Sequence, residues 1–248
     1  AREIGLGEGE QQSSVLLLDL RNPLLTGLGT QQRDIQQRDG LRRRLTEAVD
    51  QLIEHITALL VRADERDTAV QIATSGPDSD WATIMQAYFA AINKATDHIY
   101  ISTPYFMPGE SLLTALKVAA LSGIDVRIML PSRSDSKIVY WASRSYIAEL
   151  LEARIKVYLY REGFNHSKIM TIDNHFSSIG TANMDNRSFE DNFEVTAMIY
   201  DRQVTDRIER RFLSDLEGCT RLTRKRWAAR SRTDIFKESV ARLFSPLL

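Results

Sequence analysis

Between Ala69 and Tyr160 the period of the apolar pattern switches repeatedly, and this alternation restricts the fold more than any other feature of the chain. Ala69 to Thr74 reads as a strand, and Ser75-Gly76-Pro77 turns it into a helix capped near Asp78 or Ser79 and running to about Ala95. Ile99 and Ile101 then alternate with Tyr100, which is a two-residue strand period. A helix from Ser111 to about Ser122 follows and stops at Gly123, and Val126, Ile128 and Leu130 alternate again. A polar loop (Pro131 to Ser136), a helix to about Ala153 and the strand IKVYLY complete the order. Strand and helix in strict succession imply α/β layering, with a sheet held between helices. Beyond this region VTAMIYD is strand-like, and Gln203 to Leu216 is helical and ends at Gly218.

Bulk properties leave room for such a core. The chain has 248 residues, enough for one large domain or two small ones, and 43% hydrophobic with 26% charged residues is ordinary globular composition. A net charge of -1 removes any global electrostatic case for nucleic acid. A single cysteine, Cys219, excludes an intrachain disulfide and reads as a small, partly buried apolar residue. No apolar run approaches the roughly 18 to 20 residues of a membrane-spanning helix, and the first residues lack the basic segment followed by an apolar one that would read as a signal peptide. The chain opens on Ala1 rather than Met, which suggests a piece of something longer. Residues 1 to 32, rich in Gly, Gln and Ser, read as linker or poorly ordered extension. From Arg33 to about Arg66, Leu41, Leu45, Val49, Leu52, Ile53, Ile56, Leu59 and Leu60 make the apolar stripe of an amphipathic helix, with His55 beside it as a structural residue.

The chemistry concentrates in FNHSKIMTIDNHFSSIGTANMDNRSFEDNFE, from Phe164 to Glu194. Here His166, Lys168 and Asp173 stand in the order His-x-Lys-x-x-x-x-Asp, followed by Gly180, Thr181 and Asn183 and then Glu194. An imidazole is able to attack phosphorus, an ammonium to hold non-bridging oxygens, and a side-chain amide to add neutral donors. In an extended strand His166 and Lys168 point to one face while Ser167 and Ile169 point to the other. Gly180 and Thr181 permit close backbone approach just before Asn183. Asp173 is expected near a strand end. His175 reads as a turn residue beside Asn174, and His98 opens a strand without evident partners.

This pattern resembles the motif of the phospholipase D superfamily. TPYFMP (Thr103 to Pro108), VRIMLPSRSDS (Val126 to Ser136), NMDNRSFEDNFE and the closing RLFSPLL are similar to the second half of the bacterial cardiolipin synthases. The resemblance covers roughly residues 69 to 248 and divides the chain into a linker and helical extension, 1 to 68, and a catalytic half-domain with one motif, 69 to 248. It implies an α/β fold with a mixed central sheet flanked by helices, preceded by the N-terminal helical extension. It also implies phosphatidyl transfer between two phosphatidylglycerol molecules, giving cardiolipin and glycerol through a phosphohistidine, without metal or other cofactor. His166, Lys168 and Asp173 are then the catalytic motif, with Asp173 structural more than chemical. Lys168, Asn183 and Thr181 hold the phosphate, and Glu194 orients a histidine of a second motif-bearing half. That half comes from the same parent chain or a homodimer mate, and which histidine attacks is left open. The implied setting is the surface of the bacterial cytoplasmic membrane, with anionic phospholipid as partner and nucleic acid not favoured. Two alternatives stand beside it: a single-motif homodimeric phosphodiesterase or nuclease, and a silent lipid-binding fragment. Two departures from the family text are Asp191, where an apolar residue is usual, and Arg154, where a helix-ending Gly is expected.

Arg221, Arg224, Lys225, Arg226, Arg230 and Arg232 surround Trp227. The run is either a solvated face or a contact with anionic lipid in which Trp227 adds interfacial anchoring. A closing helix with Phe236, Val240, Leu243 and Phe244 suits core packing or interface insertion equally.

Overall fold

The computed structural model describes residues 15–16, 68–79 and 81–248. The expected helix from Arg33 to Arg66 and the reading of His55 lie outside the described residues. Nine strands form one mixed sheet: β1 (Val15–Leu16), β2 (Ala69–Ser75), β3 (His98–Ser102), β5 (Asp125–Pro131), β6 (Lys156–Tyr160), β7 (Ile169–Ile172), β8 (Phe176–Gly180), β10 (Glu194–Tyr200) and β11 (Cys219–Arg221), in the order β1-β2-β10-β8-β7-β3-β5-β6-β11. Two short strands, β4 (Phe106–Met107) and β9 (Met184–Asp185), pair in parallel as a separate ribbon. The strands β3, β5 and β6 run parallel, whereas β7, β8, β10 and β2 alternate in direction.

Side-chain alternation decides which helices cover which face. Ile99 and Ile101 of β3, Val126, Ile128 and Leu130 of β5, and Met170 and Ile172 of β7 enter the main core. There they meet α1 (Thr83–Lys94), α2 (Glu110–Leu121), α3 (Lys137–Ser145) and α4 (Ile147–Glu152), through residues such as Ile84, Leu116, Ala142 and Leu150. The alternate residues Tyr100 and Met129, and farther along the sheet Val195, Ala197 and Ile199, face α5 (Arg202–Asp215), which contributes Val204 and Phe212. Tyr100 stacks on Phe212 with ring centroids 5.1 Å apart. A sheet covered on both faces explains why β3 is buried along its whole length.

Several expectations need correction. The cap of α1 is not Asp78 or Ser79: its N-cap is Ala82, without a side-chain bond, and the Ser79 hydroxyl donates to the Trp81 carbonyl instead. The single helix expected to reach Ala153 is two, α3 and α4, divided at Tyr146. There Ser145 Oγ donates back to Ala142 O, and Tyr146 N reaches Ser143 O at 3.4 Å, a tightened turn that breaks the α-helical ladder. Trp227 is no interfacial anchor. It lies buried in α6 (Arg224–Ala228), with the guanidinium groups of Arg144 and Arg230 over its ring at 4.7 and 4.8 Å. Arg154 does take up the backbone of the missing glycine. Its φ is 67°, and the bonds Arg154 N to Leu151 O and Ile155 N to Leu150 O close α4 as Gly123 N to Ala120 O and Ile124 N to Ala119 O close α2.

Candidate active site

The ladder of β7 starts at Ile169, so His166 and Lys168 sit just ahead of the strand and not within it as expected. The alternation persists nonetheless. Asn165 and Ser167 turn toward the sheet, where Ser167 Oγ lies 2.7 Å from Ser102 Oγ and Asn165 Oδ1 accepts from both the N–H and the hydroxyl of Ser167. His166 and Lys168 therefore share the opposite side, with Lys168 Nζ 2.9 Å from His166 Nδ1 and 3.0 Å from the His166 carbonyl. Phe164 and Tyr105 flank the imidazole, with ring centroids at 5.3 and 6.2 Å.

The ribbon of β4 and β9 brings the rest together. Thr103 Oγ1 donates to Tyr105 O and accepts from Met184 N, fastening the two crossings to each other. Tyr105 Oη is consequently placed 2.7 Å from Asp135 in the loop before α3, while Asn183 and Asp185 stand on the other limb. Gly180 lets β8 approach β10: a Cβ there would collide with the Val195 carbonyl oxygen and the Thr196 hydroxyl and lie 2.6 Å from Thr196 Cα.

Burial lowers the Lys168 pKa from 10.5 to about 8, and the carboxylates of Glu194, Asp185 and Asp135 oppose that fall. Burial, aided by the Lys168 charge, also lowers the His166 pKa below its usual value. Asp185, nearly inaccessible to solvent, and Glu194 are both pushed up by burial. The hydrogen bond from Tyr105 holds the Asp135 carboxyl below the usual range, while burial and Asp135 together raise the Tyr105 phenol. One cation thus sits within the field of three carboxylates beside an imidazole that is neutral near pH 7. This is an arrangement able to present a nucleophile and a charge clamp to a phosphodiester.

The other residues read from the sequence fall in different places. Asn183 reaches the cluster: its side-chain amide bonds Asp185, and its Oδ1 is buried without a protein partner. Thr181 does not offer a free hydroxyl, because Oγ1 donates to Val195 O and accepts from Val195 N. Glu194 lies in the field of Lys168 and accepts a bond from the Asn192 side-chain amide. Asp173 is not brought to His166. It stands at the far end of β7 with φ 54°, followed by Asn174 with φ 57°, as the first two residues of the three-residue turn into β8. Its carboxylate accepts from Thr96 N, Thr96 Oγ1, Asp97 N and His98 N. His175 completes the same turn, His175 N donating to Ile172 O.

The sequence reading missed Tyr105, Asp135 and Asp185. Tyr105 and Asp135 lay inside the TPYFMP and PSRSDS segments, and Asp185 keeps the two-residue period from Asn183. It also missed the partners of His98, which is buried between Asp97 (2.8 Å) and Glu209 (2.9 Å). Among the described residues no group of three or more His, Cys, Asp or Glu side chains is placed to hold a metal ion.

Comparison with known proteins places this geometry. Residues 88–216 match the family described as "Cardiolipin synthase, PLD-like domain". A cardiolipin synthase of Geobacillus sp. is 49% identical over 195 residues, 79% of this chain and 39% of that protein. One of Listeria monocytogenes is 48% identical over 181 residues, 73% of this chain and 38% of that protein. The chain therefore spans about two fifths of the length of these relatives. Among solved structures, the phosphatidylserine synthase of Haemophilus influenzae superposes with a TM-score of 0.57 at 16% identity, over 72% of this chain and 45% of that one. Nuc of Salmonella typhimurium, a phospholipase D family member, superposes with a TM-score of 0.54 at 19% identity, over 63% of this chain and 99% of that one. The chain belongs to the phospholipase D-like domain family of the cardiolipin synthases.

Proposed function

We propose that this chain supplies one of the two catalytic motifs of a phosphatidyltransferase that joins two phosphatidylglycerol molecules into cardiolipin and releases glycerol. The observation that carries the reading is the contact between Lys168 Nζ and His166 Nδ1 at 2.9 Å, in the field of the Glu194, Asp185 and Asp135 carboxylates. In the reaction, an N–P bond forms between a histidine and the phosphatidyl group as the bond from phosphorus to the glycerol oxygen breaks. The facing histidine protonates the departing glycerol. The free hydroxyl of a second phosphatidylglycerol then attacks phosphorus, the N–P bond breaks, and the facing histidine takes up the hydroxyl proton. His166 fills one of these two roles. Lys168 moves from the imidazole onto the non-bridging oxygens, and Asn183 adds an amide donor. Glu194 orients the histidine of the other half and holds its tautomer. Asp173 supports the site from a distance by joining the β7–β8 turn to the start of β3. The 47 to 49% identity to cardiolipin synthases over about three quarters of the chain supports phosphatidyl transfer, and sets membrane phospholipid ahead of nucleic acid as substrate.

The test joins this chain to its second motif-bearing half and supplies phosphatidylglycerol vesicles and, separately, plasmid DNA. Cardiolipin and glycerol are expected in equal amounts, and His166→Ala or Lys168→Ala should lower turnover by ~10²-fold or more. DNA cleavage without cardiolipin, or full activity in both variants, would overturn the proposal.

A further inference from the structure

The last helix, α7 (Arg232–Leu243), is packed with its amphipathic character reversed. Glu238 points inward, only 2% exposed, between Arg230 at 2.8 Å and Arg144 at 3.8 Å, above the sandwiched ring of Trp227. Tyr146 Oη and Ser245 Oγ, 3.0 Å apart, continue this polar seam. The apolar side chains face out: Phe236 is 69% exposed, Leu243 78% and Leu247, in the turn after the helix, 73%. Phe236, Val240 and Leu243 follow steps of four and three residues, which is one face of the helix, and Leu247 extends the exposed row beyond its end. A core helix would bury this stripe and expose Glu238.

The segment leading into the helix carries one sign of charge, with Asp234 in the first turn of α7 as the acidic residue beside it. From Cys219 to Thr233 there are six basic residues and no acidic one. Arg230 is held by Glu238, and Arg224 by the carbonyls of Leu151 and Glu152, but Arg221, Lys225, Arg226 and Arg232 are exposed and form no ion pair among the described residues. Lys237 lies beside the stripe, over the ring of Trp141 at 4.9 Å. A second copy of the chain docked on this face would set these cations against their own kind. A helix with apolar side chains on one side and basic residues at its flanks matches an anionic interface.

We propose that the outer face of α7, with Phe236, Val240, Leu243 and Leu247 inserted and Lys225, Arg226 and Arg232 on the headgroups, docks this domain on an anionic phospholipid bilayer. The choice of bilayer rests on the phospholipid reading above, but docking requires no turnover. The helix packs along α3, and the loop that opens α3 carries Asp135 of the candidate site, so a docked α7 holds that site close to the lipid surface.

The experiment is co-sedimentation of the chain with vesicles of phosphatidylglycerol and phosphatidylcholine, against vesicles of phosphatidylcholine alone, at low and high salt. Binding should favour the anionic vesicles and fall with salt. Phe236→Ser with Leu243→Ser should weaken it by roughly tenfold or more, and Lys225→Glu with Arg226→Glu by at least roughly fivefold per charge removed. Both pairs are exposed, so circular dichroism should show the fold unchanged. His166→Ala should bind like the parent, which separates failure of docking from failure of the catalytic reading. Equal binding by both double variants, no preference for anionic vesicles, or a dimer in light scattering that Phe236→Ser with Leu243→Ser abolishes, would each overturn the proposal.

Discussion

Lys168 offers the sharpest test of the site because its proton is the quantity the geometry tunes. Burial brings its pKa from 10.5 to about 8, against the pull of Glu194, Asp185 and Asp135. The group is thus about half charged at pH 8 and about a tenth charged at pH 9. An anionic phosphodiester 4 Å away contributes about 4 kcal/mol of attraction at an effective dielectric constant of about 20. Lys168 is half open to solvent, and screening reduces this to a rise of about 1–2 pH units on binding. Reductive ¹³C-methylation followed by NMR titration, with Lys168→Arg to identify the resonance, reads the value directly on this chain. A low pKa that climbs when inorganic phosphate is added is the expected result. In the complete enzyme, kcat/KM should fall above pH 8 as Lys168 loses its proton in the free enzyme, and below the ordinary histidine range as His166 gains one. A lysine that titrates at 10.5 and ignores phosphate would refute the reasoning, whatever the activity.

Three further outcomes follow from the fold. Arg154→Gly should stabilise the protein by ~1 kcal/mol, a rise of roughly 2–4 °C in Tm, because φ 67° suits glycine and α2 already ends on Gly123 in the same motif; calorimetry measures it, and no gain would mean that the Arg154 side chain compensates. Gly180→Ala should cost ~2–3 kcal/mol in urea unfolding, since β10 leaves no room for a Cβ. His98, raised from 6.5 to about 9 mainly by its hydrogen bond to Glu209, binds its proton more tightly folded than unfolded. The stability it adds is complete below pH 6.5 and lost as pH climbs through 9, so unfolding free energy should decline across that window in the parent and not in His98→Gln.

The alternating periods between Ala69 and Tyr160 were enough to read the layered α/β fold, because burial on both faces of a sheet leaves a direct imprint on the order of apolar residues. The reach of His166 and Lys168 to one side was likewise legible, since two-residue alternation is a property of extended backbone and survives outside the hydrogen-bonded ladder. The glycine-like backbone of Arg154 was expected only through the resemblance to the family, in which a helix-ending glycine is usual at this position.

Other features depended on segments far apart in the chain. Asp135 joins the site only because the β4–β9 ribbon sets Tyr105 against the loop before α3. Thr181 looked like a phosphate ligand, but whether its hydroxyl is free depends on Val195, fourteen residues later. Of the two partners of His98, Asp97 is its neighbour in sequence, but Glu209 comes from a helix on the other side of more than a hundred residues of chain. Trp227 and α7 show the limit most clearly. A basic run around a tryptophan, followed by an apolar stripe, reads the same whichever group turns inward. Here Arg144 and Arg230 close over Trp227, Glu238 pairs with them, and the stripe is left facing out. Local sequence determines period and turn, because those energies arise within a few residues. Which side of an element is buried, and which polar groups find partners, is decided by what the rest of the chain brings against it.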